Sequence, residues 1–141
     1  MKLYYSPGAC SLSPHICLRE AGAEFTLERV RSTKQLASDG SSYLDLNPLG
    51  YVPALVLPDG ELLLEGPAIV QWIADTYPES RLAPANGTRD RYRFQSLLNF
   101  ISTELHKGFS PLFSKECPDA WKEVVKTKLA AAFAEVDRTL A

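Results

Sequence analysis

The sequence is poor in the residues that build metal sites, disulfide networks and nucleic-acid surfaces. It has only three cysteines and two histidines among 141 residues. Cys10, Cys17 and Cys117 are too widely spaced to form a Cys-x-x-Cys pair or a zinc pattern, so we expect no metal. A net charge of −2, with basic residues scattered along the chain, argues against a nucleic-acid partner.

Long apolar runs are also missing. No run approaches the roughly 20 residues of a membrane-spanning helix, so we expect no membrane partner. The first five residues, MKLYY, indicate a strand and lack the apolar core of a signal peptide. Together with an odd and dispersed set of cysteines, this pattern favours a reducing, cytoplasmic location.

The predicted elements indicate an α/β domain with a thioredoxin-like arrangement over residues 1–78. The hydrophobic pattern predicts strands at residues 2–5, 25–31, 54–57 and 61–64, and helices at residues 11–22 and 67–77. Residues 58–60, Pro-Asp-Gly, predict a hairpin turn. The order βαβ, hairpin, α predicts four strands with helices on both sides.

The rest of the chain predicts a second, all-α domain. Residues 79–87 have little periodicity and predict a linker before a helical domain over residues 88–141. The first helix of this domain should run to about Gly108 and bury Phe94, Leu97, Leu98, Ile101 and Leu105. The last helix should open near Pro118 and continue to the end of the sequence without a C-cap. We therefore expect the helical domain to be incomplete.

Residues 47–55 (NPLGYVPAL) and 64–69 (LEGPAI) are the most informative part of the chain. Pro53 begins a strand directly after a Pro-x-Gly turn, which predicts a cis Val52–Pro53 bond. Such a bond would turn the Val52 backbone outward, where it can pair with a peptide-like ligand. Glu65 can hold an ammonium group, and the helix start at Gly66 can hold a carboxylate. We therefore predict a pocket for a small zwitterionic peptide.

Cys10 is the main candidate for chemistry. It lies where a loop enters a helix, and a helix N-terminus stabilises a thiolate. With Ser13 it forms a Cys-x-x-Ser sequence at the redox-motif position of a thioredoxin-like domain, without a second cysteine to resolve a mixed disulfide. The alternative is a small apolar residue that packs the helix start. Tyr5, at the end of the first strand, could donate a hydrogen bond to the thiolate or be only a strand aromatic.

A second set of polar candidates lies in the all-α part. Asn99, Thr103 and His106 recur at helical spacing and predict one polar stripe. This stripe is either a solvated surface or a source of polar groups for a pocket between the two parts. In the second case His106 could accept a proton from Cys10, and Lys107 would favour the thiolate.

Four separated motifs make the family of this chain recognisable: residues 1–16, 47–55, 65–69 and 98–107. They occur in the order found in bacterial beta-class glutathione S-transferases, which the sequence resembles over its whole length. The resemblance implies a thioredoxin-like N-terminal domain that binds glutathione, followed by an all-α C-terminal domain. It also implies a homodimer and, because family members run to roughly 200 residues, that this chain is a fragment or a truncated product.

The resemblance also implies individual roles. Cys10 matches the family cysteine that contacts the glutathione sulfur or forms a disulfide with it, and Val52 and Pro53 match the backbone partner of its cysteinyl moiety. Glu65 and Gly66 match the residues at the γ-glutamyl end. Further implied glutathione-binding residues are Asn99, His106, Lys107 and Glu104, the last reaching the partner subunit's glutathione. Gln35 holds a position where the family commonly has a lysine, for which the adjacent Lys34 is a candidate substitute. We also count Tyr5 and Thr103 among the glutathione-binding candidates.

These expectations support three hypotheses of function. The first is a glutathione transferase that conjugates the glutathione thiolate to small hydrophobic electrophiles, with Cys10 and His106 as its catalytic residues. The second is a glutathione-dependent thiol-disulfide oxidoreductase or peroxidase that uses Cys10 in a mixed disulfide. The third is a glutathione-binding protein without catalytic activity. The sequence does not identify the electrophile, because apolar pockets discriminate such substrates weakly.

Overall fold

The structure, a computed structural model, describes residues 1–140. Its helices and strands, in chain order, are β1 (Lys2–Tyr5), α1 (Leu12–Glu20), β2 (Thr26–Arg29), β3 (Ala54–Val56), β4 (Leu62–Leu64), α2 (Gly66–Thr76), α3 (Arg89–Phe100), α4 (Ser110–Phe113) and α5 (Asp119–Leu140). Short 3-10 turns lie at Tyr43–Asp45, Pro78–Ser80 and Lys107–Phe109, and a π-helical turn lies at Ile101–His106. The chain divides into two compact units between Arg91 and Tyr92. The predicted domain bounds themselves remain a prediction.

The first unit is built on a four-stranded mixed sheet in the order β2-β1-β3-β4. Strand β1 is parallel to β2 and antiparallel to β3, and β3 is antiparallel to β4. The parallel pair needs a crossover connection, which α1 supplies, whereas β3 and β4 are joined by the predicted hairpin turn. The predicted thioredoxin-like arrangement of this unit, followed by a helical C-terminal part, is confirmed.

The two faces of the sheet carry separate apolar clusters because side chains alternate along each strand. Leu3 of β1 and Leu55 of β3 point to one face, where they pack with Leu18 of α1 and with Ile69 and Ile73 of α2. All five of these side chains are fully buried. Helices α1 and α2 therefore cover this face together.

The opposite face of the sheet is covered by the segment between β2 and β3. Tyr4 and Ala54 pack there against Val30 and Tyr43, and Tyr43 belongs to a single 3-10 turn. The rings of Tyr4 and Tyr43 lie 5.5 Å apart between centroids. One large aromatic side chain on a short turn thus supplies the apolar cover that a helix provides on the other face.

The second unit contains one small apolar cluster, formed by Leu105 with Val125, Leu129 and Ala132 of α5. The predicted single α-helix to Gly108 is wrong in two respects. A π-helical turn interrupts it at Ile101–His106, and helical turns then continue to Phe113. Of the predicted apolar face, Leu105 is buried, whereas Ile101 is exposed.

Gly108 explains why the helical turns can continue beside α5. A Cβ atom at this position would come within 3.0 Å of the Leu129 Cδ2 atom. The glycine therefore allows close approach between the 3-10 turn and α5, and it does not end the helical path as we predicted. Among residues 1–140, no helix is both long enough and apolar enough to cross a membrane.

Candidate functional site

Cys10 lies in a tightly hydrogen-bonded loop between β1 and α1. The Ser6 N–H donates a hydrogen bond to the Ser11 hydroxyl oxygen, and the Ser11 hydroxyl donates one to the Ser6 C=O. Both distances are 3.2 Å. The Ser6 hydroxyl in turn donates to the Val30 C=O at 2.8 Å. Ser11 is buried, whereas Cys10 beside it is exposed. The loop therefore holds Cys10 at the surface in a defined position.

The Cys10 thiol contacts the segment that precedes Pro53. Its Sγ atom lies 3.2 Å from the Val52 carbonyl oxygen and donates a hydrogen bond to it. The Val52–Pro53 bond is cis. The thiol makes this bond only while it carries its proton, so the contact must break before the sulfur can act as a nucleophile.

Glu65 and Gly66 lie on the other side of Pro53. Ala54 pairs with Leu64 in the antiparallel β3–β4 ladder, so Pro53 and Glu65, the residues just beyond this pair, lie side by side. A Cβ atom on Gly66 would lie 3.8 Å from the Pro53 Cγ atom. The structure thus brings Cys10, Val52, Pro53, Glu65 and Gly66 together at one edge of the first unit.

Glu65 has an unusual backbone conformation, with φ +68° and ψ +116°. A non-glycine residue in such a region costs on the order of 1–3 kcal/mol, and such residues cluster at functional sites. The Glu65 C=O accepts the N–H groups of Ala68 and Ile69, both at 3.0 Å. The Glu65 side chain makes no capping bond to the helix and is exposed. Its carboxylate is therefore available to a ligand.

Two other predicted residues of the first unit, Tyr5 and Gln35, have contacts with neighbours outside this cluster. The Tyr5 ring lies 6.4 Å from the His15 ring, measured between centroids. Within residues 1–140 the hydrogen-bond partner of the Cys10 thiol is Val52 and not Tyr5. Gln35 is exposed, and its Oε1 atom accepts a hydrogen bond from the Thr33 hydroxyl. For Tyr5 and Gln35 a glutathione contact remains a prediction.

The remaining candidates belong to the second unit. Asn99, Thr103, Glu104, His106 and Lys107 are all exposed and lie on or next to the π-helical turn. The Thr103 hydroxyl donates to the Asn99 C=O at 3.1 Å. The π-helical turn at Ile101–His106 lies within the predicted polar stripe, whose role in binding remains a prediction. The placement of these residues beside Cys10 also remains a prediction.

Sequence reasoning missed the side chains that support Val52. The Tyr43 hydroxyl and the Asn47 Nδ2 atom both donate to the Tyr51 C=O, at 2.8 and 2.9 Å. The Lys34 Nζ atom donates to the Gly50 C=O at 2.7 Å. The Asn-Pro-x-Gly sequence gave a signal for Asn47, because Asn47 also accepts the Leu49 N–H in an Asx-turn. No comparable signal marked Tyr43.

Burial raises the pKa of two groups of the first unit, Cys17 and Tyr43. The pKa of the Cys17 thiol is raised chiefly because burial disfavours the thiolate. The pKa of Tyr43 is raised for the same reason, with a smaller opposing effect from its hydrogen bond to Asn47. In residues 1–140 no group of three or more His, Cys, Asp or Glu side chains could hold a metal ion.

Comparisons with known proteins show the family of this chain. The family profile described as "Glutathione S-transferase, N-terminal domain" matches residues 8–76. The protein named Glutathione S-transferase GstA of Escherichia coli O157:H7 is 48% identical over 141 residues, which cover 99% of this chain and 70% of that protein.

Two solved structures are similar over 99% of this chain and 70% of their own chains. One is the sphingomonad glutathione S-transferase in complex with glutathione, with a TM-score of 0.92 and 47% identity. The other is the beta-class glutathione S-transferase of Sphingomonas chungbukensis, with a TM-score of 0.90 and 46% identity. The chain belongs to the glutathione S-transferase family of enzymes, and the predicted likeness to its bacterial members is confirmed.

Proposed function

We propose that this protein conjugates the thiolate of glutathione to small hydrophobic electrophiles. The observation that carries the proposal is the cluster of Cys10, Val52, Pro53, Glu65 and Gly66 at one edge of the first unit. This cluster offers groups of the kind that a small zwitterionic peptide needs. The similar sphingomonad enzyme has a structure in complex with glutathione, which supports glutathione as the ligand.

Each group has a proposed role in holding glutathione. The Val52 backbone pairs with the cysteinyl moiety, as an added strand pairs with a sheet edge. The Glu65 carboxylate holds the γ-glutamyl ammonium, and the Gly66 N–H holds the adjacent carboxylate. This arrangement would place the glutathione sulfur near Cys10. Rate acceleration would then come from orientation and from stabilisation of the glutathione thiolate.

Glu65 gives the sharpest test of glutathione binding. We expect Glu65→Gln to raise the KM for glutathione by roughly tenfold or more, because a charged hydrogen bond is lost. The assay follows conjugation to an activated aryl chloride, 1-chloro-2,4-dinitrobenzene, by absorbance. Glu61→Gln is the matched control, because Glu61 is also exposed and lies just before β4. Equal KM values in the two variants would contradict the assigned role of Glu65.

Cys10 tests which thiol is the nucleophile. We expect Cys10→Ala to retain part of the conjugating activity, because the nucleophile is the sulfur of glutathione. Cys117→Ala is the control for the loss of a cysteine outside the cluster. Complete loss of conjugation by Cys10→Ala, with glutathione binding unchanged, would overturn this assignment. His106 could then be examined for its predicted role as a proton acceptor.

The exposed thiol of Cys10 favours a second candidate function, glutathione-dependent thiol-disulfide exchange. The Cys10 sulfur would attack one sulfur of oxidised glutathione and form a mixed disulfide. The other half would leave as a glutathione thiolate and take up the proton that Cys10 releases. Intact mass measurement with oxidised glutathione should then show a gain of about 0.3 kDa that reductant reverses. An unchanged mass would remove this candidate.

We also propose a homodimer, supported by a groove between α3 and α5 of the second unit. Lys128 and Glu135 lie on this groove at either side of Ala131 and Ala132. In a twofold pairing, Lys128 of each copy can face Glu135 of the other copy. We expect Lys128→Glu to weaken the dimer in sedimentation analysis and Lys128→Glu with Glu135→Lys to restore it. A dimer that neither variant affects would exclude this groove as the interface.

A cytoplasmic location is the last part of the proposal. It is supported by Cys10, Cys17 and Cys117, which are all free thiols in the structure. Cell fractionation with an antibody against the protein tests it. Recovery in the periplasmic or extracellular fraction would contradict it.

A further inference from the structure

Three consecutive carbonyl groups before Pro53 each accept a hydrogen bond from a side chain that is distant in sequence. The Gly50 C=O accepts from Lys34, the Tyr51 C=O from Tyr43, and the Val52 C=O from Cys10. These residues lie outside the strands, so no sheet ladder fixes them. We call the C=O groups of residues 50–52 the carbonyl row. Side chains, not a neighbouring strand, set its path.

Lys34 contributes to this row with both its stem and its ammonium group. The Nζ atom lies 2.7 Å from the Gly50 carbonyl oxygen. The Lys34 Cδ and Cε atoms would lie 3.2 and 3.3 Å from a Cβ atom at Gly50, so the stem packs against the glycine. Gly50 has a φ of +64° and is buried. Lys34 therefore holds Gly50 in a conformation that few other residues adopt.

The backbone of Lys34 is itself held in an uncommon conformation, with φ +61°. Its N–H donates to the Arg31 C=O at 2.9 Å, and its C=O accepts the Tyr43 N–H at 2.8 Å. Lys34 and Tyr43 thus support each other as well as the carbonyl row. Left-handed backbone at a non-glycine residue persists only where surrounding contacts impose it.

We propose that Lys34 is a positioning residue that fixes the Val52 backbone for glutathione, and not a ligand of the glycine carboxylate. The proposal rests on the glutathione-binding function proposed above. Its physical basis is that the ammonium group is anchored on the Gly50 oxygen at 2.7 Å, with the stem packed against the glycine, which ties Lys34 to the backbone path that leads to Val52. Loss of the bond would release the residue two positions before Val52.

The two roles differ in how they depend on the glycine end of the ligand. If Lys34 bound the glycine carboxylate, its loss would weaken only those peptides that carry the glycine. A positioning residue affects every ligand that pairs with Val52, including γ-glutamylcysteine, which lacks the glycine. The test therefore measures the Kd of glutathione and of γ-glutamylcysteine by calorimetry, for the unchanged protein and for variants of Lys34.

Lys34→Met keeps the stem and removes the ammonium group. We expect it to weaken both ligands by the same factor, roughly tenfold, because the Val52 backbone is then less ordered before binding and must be ordered at the expense of affinity. Lys34→Arg, in contrast to Lys34→Met, should keep the affinity for both ligands, because a guanidinium group can donate to the same Gly50 carbonyl. Weakening confined to glutathione, or no weakening by Lys34→Met, would overturn the proposal.

Lys34→Gly provides a second variant that should fold readily, because glycine adopts positive φ without strain. It removes both the stem and the ammonium group, and we again expect equal weakening of the two ligands. If the unchanged protein binds neither ligand, the proposed function fails and this inference fails with it. If the unchanged protein binds both and the variants affect only glutathione, the positioning role alone is excluded.

Discussion

The two units differ in how far apart along the sequence their hydrogen-bonded residues lie. In the first unit, side chains bond backbone groups far along the chain: Ser6 bonds Val30, 24 residues away, and Cys10 bonds Val52, 42 residues away. In the second unit, the hydroxyls of Ser102 and Thr103 bond carbonyls only four residues back. The surface ion pairs of α5 span three residues.

This difference shows where precise geometry is built in the molecule. Long-range bonds lock several segments of the first unit to one another, and the cluster around Val52 lies among them. Local bonds stabilise a helix but do not define what lies beside it. The first unit should therefore respond strongly to changes at its hydrogen-bonded positions, and the exposed faces of the second unit should respond weakly.

The largest effect is expected at the Arg91–Asp75 pair of the first unit. The Arg91 guanidinium is almost fully buried and makes two bonds of 2.8 Å to the Asp75 carboxylate. Asp75→Asn removes a counter-charge that the buried guanidinium contacts through two bonds, so we expect a loss of about 2–3 kcal/mol in the free energy of unfolding. Asp119→Asn, at an exposed pair in the second unit, is the control and should have no measurable effect. Denaturant unfolding measures both, and equal losses would contradict the comparison.

The next largest effect is expected at Gly50, and alanine substitutions at three glycines distinguish the cost of backbone strain from the cost of steric contact. Gly50→Ala combines positive φ with a Cβ only 2.9 Å from the Leu44 Cδ2 atom, so we expect a loss of about 2–3 kcal/mol. Gly40→Ala has positive φ and open space, which predicts about 1 kcal/mol. Gly108→Ala in the second unit meets only the tip of Leu129 without positive φ, and should cost less than about 1 kcal/mol. Thermal unfolding ranks the three, and any other order would contradict this account.

A pH-dependent effect should come from Cys17. Burial raises its folded-state pKa above the ordinary value of 9.0, so the folded protein retains the thiol proton more strongly than the unfolded chain. The stability from this group is fully present below about pH 9 and is lost as the pH rises through the folded-state pKa. Cys17→Ala should therefore reduce the fall in unfolding free energy above pH 9. An unchanged fall would contradict the prediction.

The smallest effect is expected at the Lys126–Glu123 pair on α5. The hydrogen bond to Glu123 raises the pKa of Lys126, but both side chains are largely exposed. Solvent and salt screen such a pair, so Lys126→Gln should leave the unfolding midpoint unchanged within error. A clear destabilisation that added salt removes would show that local ion pairs contribute more to the second unit than we infer.

The sequence predicted well those features that depend on neighbouring residues. The bounds of β1, the hairpin turn and the start of α2 beside Pro67 follow from local alternation and turn chemistry. It did not predict the π-helical turn at Ile101–His106, because an inserted residue in a helix changes its phase without a distinct sequence pattern. The roles of Tyr43 and Lys34 were also missed, since both act on carbonyls of a remote segment.

The start of α2 also sets which anions this edge of the molecule can accept. Pro67 has no N–H, and the N–H groups of Ala68 and Ile69 are already bonded to the Glu65 carbonyl. This leaves Gly66 as the candidate among these four residues for offering an N–H to an outside anion. A single donor suits one oxygen of a carboxylate, whereas a phosphate group is usually bound by several converging N–H groups. We therefore expect the helix start to favour amino-acid-like over nucleotide-like ligands, through the number of N–H donors that it offers.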